Sequence, residues 1–346
     1  MMPGAAEAGL RAALIDAFLA GGPGAGARRA HLAGDASNRR YERLLPEGAA
    51  PLVLMDAPPE KGEDVRPFVD VTARLRRIGL SAPEIRAQDP RAGLLLLEDL
   101  GDALYARVLE GRPDDEAMLY AAAVDLLAAL HRLPQAAEGL PPYDAAVYRR
   151  ESALATDWYL PAATGRATAA PLRAAYLDLI EAACAPHAVR PPVCVLRDYH
   201  AENLVWLPER AGDARVGLLD YQDALAGHPA YDLVSLLEDA RRDTSEALRQ
   251  AMIARYLAAS DTAPEAFRAA YAALGAQRNL KIVGIFARLW LRDGKPQYLS
   301  LIPRVWAHVQ RDLGHPDLAA LRAFVAAHLP PPTAEVLARL RAARSG

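Results

Sequence analysis

The chain is poor in cysteine and in long apolar runs, and each shortage excludes a class of protein. Its two cysteines, Cys184 and Cys194, lack C-x-x-C spacing and clustered histidines, so neither a disulfide framework nor a zinc site is expected. No uncharged apolar run approaches the ~20 residues that span a bilayer. Arg11 and Asp16 interrupt the apolar face of residues 5–20, which is therefore not expected to be a signal peptide. We expect a cytoplasmic protein with no membrane partner.

Neither sign of charge dominates the composition. The 40 Lys and Arg residues nearly balance the 43 Asp and Glu residues, and the basic residues are dispersed along the chain. This distribution argues against nucleic acid as a partner and favours a small molecule. At 346 residues and 52% hydrophobic content, the chain can build two lobes of ordinary domain size, each with its own core. We expect a monomer.

The most informative stretch is Arg-Asp-Tyr-His-Ala-Glu-Asn at 197–203, which follows an apolar, strand-like run. A second apolar run, 216–219, ends in Asp220. In phosphoryl transfer from ATP, catalysis consists mostly of placing the nucleophile and neutralising charge with magnesium. The spacing suits Asp198 to take the proton of an acceptor hydroxyl, and Asn203 and Asp220 to bind the metal. The alternative is that these residues only cap turns between buried strands.

The hydrophobic periodicity predicts an α+β protein. Strand-like runs separated by turn sequences predict an antiparallel meander between 29 and 57, two more short strands follow before residue 99, and the rest of the chain is predicted to be mainly helical. The predicted strands are 29–33, 41–45, 51–55, 84–87 and 94–98; the predicted helices include 5–20, 63–78, 113–133, 230–242, 245–259, 263–292 and 301–344. We expect an N-terminal lobe over 1–98, a hinge at 99–102, and a helical C-terminal lobe over 103–346 that carries the catalytic and metal-binding loops.

Several further motifs make the chain resemble a known superfamily. They are Gly-Asp-Ala-Ser-Asn-Arg-Arg-Tyr at 34–41, Leu-Met-Asp-Ala-Pro-Pro at 54–59, and Asp-Tyr-Gln-Asp-Ala at 220–224 with Gly-His-Pro-Ala-Tyr-Asp at 227–232. With the catalytic stretch, over about 29–305, they resemble the aminoglycoside phosphotransferase and choline kinase superfamily. Within it, the chain is most similar to the anomeric N-acetylmuramate/N-acetylglucosamine kinases of cell-wall sugar recycling. The resemblance implies a protein-kinase-like bilobal fold, ATP and Mg²⁺ as cofactors, and an amino sugar substrate.

The resemblance also implies roles for individual residues. Asp198 corresponds to the catalytic base, and Asn203 and Asp220 correspond to the magnesium ligands. The loop 34–38 lies where the family covers the phosphates, and its small residues would let the main chain approach an anion, although an ordinary hairpin turn is the alternative. The predicted ATP-binding residues are Gly34, Asp35, Ala36, Ser37, Asn38 and Arg39, with Glu98 and Leu100 at the hinge.

The chain departs from the family pattern on the third strand. Kinases of this fold usually carry a lysine there, which pairs with the phosphates and with an acidic helix residue. Met55 occupies that position here, and no lysine precedes Lys61. The anomeric sugar kinases resemble this chain in carrying Met-Asp-Ala-Pro at this position. Because the strand lysine is missing, another cation is expected to bind the phosphates. Arg39, Arg40 and Lys61 are candidates, and each could equally be a solvated surface charge.

Candidate substrate contacts lie beside the predicted base and metal ligands. His200, Glu202 and Asp223 could touch the sugar, although Asp223 could instead cap a turn. Asp232 corresponds to a family residue that braces the catalytic loop. The carboxylate of N-acetylmuramate calls for a cation, and its ring for an aromatic face. The candidates are Arg241, Arg242, Arg288 and Arg292, with Trp158, Tyr159, Trp290 and Tyr298.

The sequence therefore predicts an ATP- and Mg²⁺-dependent kinase for the anomeric hydroxyl of the two amino sugars. One alternative keeps the fold but changes the acceptor to an aminoglycoside, choline or another small alcohol. A second is a nucleotide-binding pseudokinase, suggested by the missing lysine, but a binding module would need no base at Asp198. A third is a hydrolase built on Asp220 and Asp223, which leaves Asp198 and Asn203 without a role.

Overall fold

The computed structural model describes residues 3–32 and 38–343, with side chains described from residue 9. The chain divides into two compact units. The first unit comprises Met1–Gly111 and Glu202–Asp223, and the second comprises Arg112–Ala201 and Ala224–Gly346. The predicted hinge at 99–102 stays a prediction, because a division into compact units does not by itself define a point of bending.

The described residues alternate between strands and helices in the first third of the chain and are mainly helical afterwards. The strands are β1 (Arg28–Leu32), β2 (Arg40–Leu45), β3 (Leu52–Asp56), β4 (Ile85–Asp89), β5 (Leu94–Glu98), β6 (Val193–Val195), β7 (Leu204–Trp206), β8 (Val216–Leu218) and β9 (Leu225–Gly227). The helices are α1 (Pro3–Ala20), α2 (Arg66–Arg77), α3 (Tyr105–Gly111), α4 (Glu116–His131), α5 (Ala145–Leu154), α6 (Leu160–Thr164), α7 (Ala170–Cys184), α8 (Ala230–Leu237), α9 (Glu246–Ala258), α10 (Pro264–Leu291), α11 (Ile302–Asp312), α12 (Ala319–His328) and α13 (Ala334–Ala342).

A five-stranded antiparallel sheet forms the framework of the first unit. Its order is β1-β2-β3-β5-β4, so the predicted meander of the first three strands is confirmed and β5 lies between β3 and β4. Side chains alternate between the faces of a strand, and Leu52 and Leu54 pack with Ile15 and Leu19 of α1 on one face. Met55 follows Leu54, so by the same alternation it lies on the opposite face of the sheet, where it is also buried. Position 55 is therefore part of the packed interior of this unit.

The β7–β8 hairpin belongs to the same unit and places the loop that follows β8. Leu204 pairs with Leu218, and the Leu218 N–H donates to the carbonyl oxygen of Ser81 over 2.9 Å. Beyond the hairpin, the ring of Tyr221 stacks on Phe68 of α2 with centroids 5.1 Å apart. Burial of these rings and backbone pairing together fix the course of residues 219–221 against α2.

The 28-residue helix α10 runs through the second unit and packs against α5, α8 and α11. Gly284 permits its close approach to α5, because a Cβ atom at this position would lie 2.2 Å from the carbonyl carbon of Leu154. A short antiparallel pair, β6 and β9, leads into the stretch that contains Asp198. Among residues 3–32 and 38–343, no helix combines the length and apolar character needed to cross a membrane.

Two predicted helices differ from the structure. The predicted helix 230–242 ends at Leu237. The predicted helix 301–344 is three helices, α11, α12 and α13. Pro316 follows the end of α11, and three consecutive prolines at 330–332 separate α12 from α13. Proline lacks the backbone donor of an interior helical residue and clashes with the preceding turn, so it ends a helix. The apolar periodicity continues across both of these helix breaks and does not reveal them.

Candidate active site

Asn203 and Asp220 lie at the same end of the β7–β8 hairpin. Asn203 precedes β7, and its carbonyl oxygen accepts a 2.9 Å hydrogen bond from the Leu219 N–H, one residue before Asp220. Asp220 adopts a left-handed backbone conformation with φ of 56°, which costs most non-glycine residues energy but suits Asp better than most. The Gln222 side chain donates to Asp220 Oδ1 over 2.9 Å. A carboxylate and a carboxamide oxygen are hard donors, so these residues fit a magnesium ion.

A positive charge lies beside this pair of candidate ligands. Arg39 immediately precedes β2, and its Nη1 atom lies 4.0 Å from Asp220 Oδ1. Its Nε atom donates to Glu63 Oε2 over 2.9 Å, and the Asn38 N–H donates to Glu63 Oε1 over 3.0 Å. The structure thus brings Asn38, Arg39 and Asp220 together within the first unit. Arg40 and Lys61, the other two candidate cations, are exposed.

The remaining predicted ATP contacts have different positions. Gly34, Asp35, Ala36 and Ser37 lie outside the described residues. Glu98 ends β5, where its N–H donates to the Glu84 carbonyl oxygen over 2.8 Å and its Oε1 accepts from Arg210 over 2.5 Å. Leu100 packs with Val205 and Leu207. Contact of Glu98 and Leu100 with adenine stays a prediction.

Residues 99–102 are held by a single arginine of β2. Arg43 Nε lies 2.5 Å from Asp99 Oδ2, and its Nη1 lies 2.7 Å from Asp102 Oδ2. Asp99 also accepts from the Gly101 N–H over 2.8 Å, and Gly101 has the positive φ of 83° that favours glycine. These contacts fix the backbone path of the predicted hinge within the first unit.

In the second unit, Asp198 lies in the stretch after β6, which a buried carboxylate braces. Asp232 of α8 is fully buried and accepts hydrogen bonds from the N–H groups of Leu196 (2.6 Å) and Arg197 (2.8 Å). Burial raises the pKa of Asp232 to about 7, even though both backbone donors lower it. The bracing contact expected for Asp232 is therefore confirmed. Arg197 itself has a φ of 72°, a backbone conformation that the surrounding contacts must stabilise.

A buried ionic cluster holds the side chain of Arg197. Glu151 of α5 pairs with Arg197 and also with Lys281 of α10, whose Nζ lies 3.1 Å from Glu151 Oε1. The Tyr143 hydroxyl donates to Glu151 Oε2 over 2.5 Å. Burial alone would raise the pKa of Glu151, but Lys281 and Arg197 outweigh it and the pKa is lowered. We call Glu151, Arg197, Lys281 and Tyr143 the Glu151 cluster.

Positive charges also act on Asp198. Burial would raise the pKa of this carboxyl, but the charge of Lys281, followed by those of His200 and Arg278, lowers it below the ordinary value. An ionised carboxylate at neutral pH can accept a proton from a hydroxyl group. His200 is buried, and burial lowers its pKa despite the nearby carboxylate of Asp239. Among the substrate candidates, Glu202 and Asp223 are exposed.

Most of the arginines and aromatics that the sequence offered for the sugar have structural partners. Arg242 pairs with Glu116 and Arg292 pairs with Asp293, both at 2.6 Å. The hydroxyl of Tyr159 donates to the Pro330 carbonyl oxygen over 2.6 Å. Similarly, the Trp290 indole donates to the Leu340 carbonyl oxygen over 2.8 Å, and Tyr298 packs against Phe286. These contacts account for the five residues without a substrate.

Sequence patterns did not predict three charged residues of the site, Glu63, Glu151 and Lys281. These residues belong to no motif, and their helical or turn surroundings made them indistinguishable from surface charges. Only Glu63 could have been anticipated from the sequence. A kinase without the strand lysine still needs an acidic residue to pair with the cation that replaces the lysine. For Glu151 and Lys281, burial is the distinguishing property, and it emerges from the packing of α5 against α10.

The described features are those of a kinase-like phosphotransferase. They are a five-stranded antiparallel sheet, oxygen donors at the end of a hairpin with an arginine beside them, and a braced loop that carries an ionised aspartate. The chain belongs to the phosphotransferase enzyme family, whose model matches residues 29–274. A Caulobacter vibrioides protein named N-acetylmuramate/N-acetylglucosamine kinase is 41% identical over 92% of this chain and 97% of its own length. A Pseudomonas aeruginosa protein of the same name is 39% identical, covering 84% of this chain and 86% of its own.

Solved structures show the same fold at low sequence identity. An ethanolamine kinase from Plasmodium vivax matches with a TM-score of 0.60 at 11% identity, covering 86% of this chain and 83% of its own. A choline/ethanolamine kinase family protein from Mesorhizobium loti matches with a TM-score of 0.56 at 15% identity, covering 96% and 99%. The predicted α+β, protein-kinase-like fold and the predicted membership of this superfamily are confirmed.

Proposed function

We propose that this phosphotransferase is an ATP- and Mg²⁺-dependent kinase that phosphorylates the anomeric C1 hydroxyl of N-acetylmuramate and N-acetylglucosamine in peptidoglycan recycling. The observation that carries the proposal is the 41% identity, over nearly the whole of both chains, to a relative named for kinase activity on these two sugars. A cytoplasmic monomer that binds a small amino sugar, and neither nucleic acid nor a membrane, completes the proposal.

The donor atoms of the first unit support the metal part of the proposal. Asn203 and Asp220 would bind Mg²⁺, and their shared position at the end of the β7–β8 hairpin suits one ion. Bound there, magnesium would neutralise charge on the β- and γ-phosphates during transfer. The positive φ of Asp220 supports a functional reason for its conformation, because strained backbone is retained where a side chain must point in one direction.

The electrostatics of Asp198 support its role as the base. Because Lys281, His200 and Arg278 keep its pKa low despite burial, the carboxylate stays ionised at neutral pH, ready to orient the acceptor hydroxyl and to take its proton. A carboxylate of low pKa is a weak base. An anomeric hydroxyl is more acidic than an ordinary alcohol, and the loose transition state of phosphoryl transfer places little demand on early proton removal. A weak base therefore suffices for this acceptor.

The proposal is tested with a panel of acceptors, ATP and magnesium. ADP release identifies the substrate, and loss of the sugar's reducing end identifies C1 as the site of transfer. Release of ADP with both amino sugars and with loss of the reducing end is the expected result. A product that keeps its reducing end would exclude anomeric transfer, and turnover only with aminoglycosides or choline would move the enzyme to another acceptor class.

Asp198→Asn tests the base. We expect turnover to be abolished while the affinity for ATP stays nearly unchanged, because the carboxamide keeps the shape of the side chain but cannot accept the proton. The matched control is Asp178→Asn, which changes an exposed acid of the second unit that pairs with Arg149. An Asp198→Asn variant with the turnover of the control would refute the assignment.

A further inference from the structure

The first unit lacks a cation at the strand position where kinases of this fold carry one. Met55 of β3 stands there, 1% exposed, with Tyr41 of β2 and Leu95 of β5 as its register partners. A thioether enclosed in this way cannot offer positive charge to a phosphate. In protein kinases, the strand lysine pairs with a glutamate, and this ion pair must be in place together with the metal-binding aspartate. The same chemistry requires another cation here.

Arg39 has the contacts that such a cation needs. Its guanidinium lies between the carboxylate of Glu63, 2.9 Å away, and that of Asp220, 4.0 Å away. The side chains of Arg39 and Glu63 are only 13% and 12% exposed, so their pairing is more than a transient surface contact. An arginine, a glutamate and a metal-binding aspartate thus form the trio that a lysine, a glutamate and an aspartate form in protein kinases.

Glu63 fixes the position of the arginine through two successive residues. One carboxylate oxygen accepts from Arg39 Nε, and the other accepts from the Asn38 N–H over 3.0 Å. The Asn38 side chain also donates to the Lys61 carbonyl oxygen over 3.2 Å. These three bonds join the start of β2 to the turn before α2. Glu63 therefore holds the guanidinium through its Nε atom, and the Nη1 atom lies 4.0 Å from Asp220 Oδ1.

We propose that Arg39, positioned by Glu63, binds the phosphates of the nucleotide in place of the missing strand lysine. The inference rests on the proposed function, since it assumes a nucleotide triphosphate as the phosphoryl donor. A guanidinium offers several donors in a planar fork that matches phosphate oxygens better than the single ammonium of lysine. The exchange of lysine for arginine also explains how the enzyme tolerates methionine on β3.

The test compares the affinities of ATP, ADP and adenosine, measured by calorimetry, for the full-length enzyme and its variants. Arg39→Met keeps the aliphatic stem but removes the charge. We expect it to weaken ATP binding by about 10- to 100-fold, the range for hydrogen bonds to charged groups, with adenosine binding unchanged. The matched control, Arg66→Met, breaks a nearby exposed Arg–Asp pair of 2.8 Å and is expected to leave all three affinities unchanged. Equal losses for ATP and adenosine would overturn the proposal.

Glu63→Gln tests the positioning role. We expect a smaller loss of ATP affinity, again without loss of adenosine affinity, and we expect the Arg39→Met/Glu63→Gln double variant to be no weaker than Arg39→Met alone. Additive losses would show that Glu63 does not act through Arg39. Arg39→Lys keeps the charge and should restore part of the affinity, and if Arg39→Met fails to fold, full ATP affinity in Glu63→Gln overturns the proposal.

Failure of this inference and failure of the proposed function give different results. If the wild-type enzyme phosphorylates the amino sugars and Arg39→Met binds ATP as tightly as the wild type, only the assignment of Arg39 is wrong. If the wild type neither binds ATP nor releases ADP with any acceptor, the proposed function is wrong and the inference falls with it.

Discussion

Replacing Glu151 with glutamine removes the one negative charge of the Glu151 cluster and keeps the shape of the side chain. The carboxylate is 8% exposed and pairs with Arg197 and Lys281, which are 18% and 11% exposed. The variant therefore removes the carboxylate that pairs with both cations in the interior of the second unit. Lysine can relieve such a situation by losing its proton, whereas arginine keeps its charge.

The expected cost in the free energy of unfolding is about 3–5 kcal/mol, the range for removing one partner of a buried pair. An exposed ion pair contributes much less to the free energy of unfolding. Glu335 and Arg339 of α13 are 79% and 45% exposed at 2.8 Å, and exposed pairs contribute less than about 1 kcal/mol. Glu335→Gln is therefore the matched control, because it makes the same chemical change in an Arg–Glu pair on a helix.

Urea unfolding of the wild type and both variants provides the assay, with the midpoint difference converted through a shared slope. Glu151→Gln should unfold at a clearly lower urea concentration than Glu335→Gln. The Glu151→Gln/Lys281→Met double variant should recover part of the loss, because it removes one of the two cations that lose the Glu151 carboxylate. Equal midpoints for the two single variants would refute the reasoning that burial sets the strength of this cluster.

The same cluster has a definite dependence on pH. The folded-state pKa of Glu151 is lowered, by Lys281 and Arg197 acting against burial, so the carboxylate stabilises the fold at pH values above its ordinary pKa. This stability is lost as the pH falls through the lowered folded-state value. Wild-type stability should therefore decline on acidification more steeply than that of Glu151→Gln, and parallel declines would contradict the assignment.

Three further predictions follow from individual contacts. Lys281→Met removes the charge that contributes most to the low pKa of Asp198, so the acidic limb of kcat/KM should move to higher pH, and an unmoved limb would contradict the role of Lys281. Asp220→Asn keeps a residue that tolerates positive φ but replaces a charged oxygen ligand with a neutral one. The Mg²⁺ concentration for half-maximal activity should therefore rise by about tenfold or more. An unchanged Mg²⁺ requirement would exclude Asp220 as a ligand. Gly284→Ala places a methyl group 2.2 Å from backbone and should cost about 1–3 kcal/mol or more in thermal unfolding, whereas Gly111→Ala, with no atom within 4 Å, should not destabilise.

Local sequence patterns predicted most of the sheet and much of the candidate site. Alternation of apolar residues located the five strands of the sheet β1-β2-β3-β5-β4 to within a few residues. The pairing of β5 between β3 and β4 could not be predicted, because strand order depends on contacts between distant segments. The three helices after residue 301 were merged in the prediction, since apolar periodicity continued across their breaks although prolines at 316 and 330–332 marked them.

Some residues of the candidate site could likewise be predicted from the sequence, and others could not. The spacing of Asp198, Asn203 and Asp220 is a property of the chain itself, and it indicated phosphoryl transfer without any structure. The choice of Arg39 over Arg40 and Lys61 was not available from spacing, because all three were equally plausible surface charges. Burial of Arg39 against Glu63, and its 4.0 Å distance to Asp220, distinguish it from the other two.

The sequence by itself determined the family, the order of the elements and the identity of the groups that phosphoryl transfer requires, because motifs and periodicity are local properties of a chain. Tertiary structure alone decided which charges act on those groups. Arg39 and Lys281 lie far in sequence from Asp220 and Asp198, respectively, and become their electrostatic neighbours only when helices and strands pack. Electrostatic strength depends on distance and on exclusion of water, and both are consequences of folding.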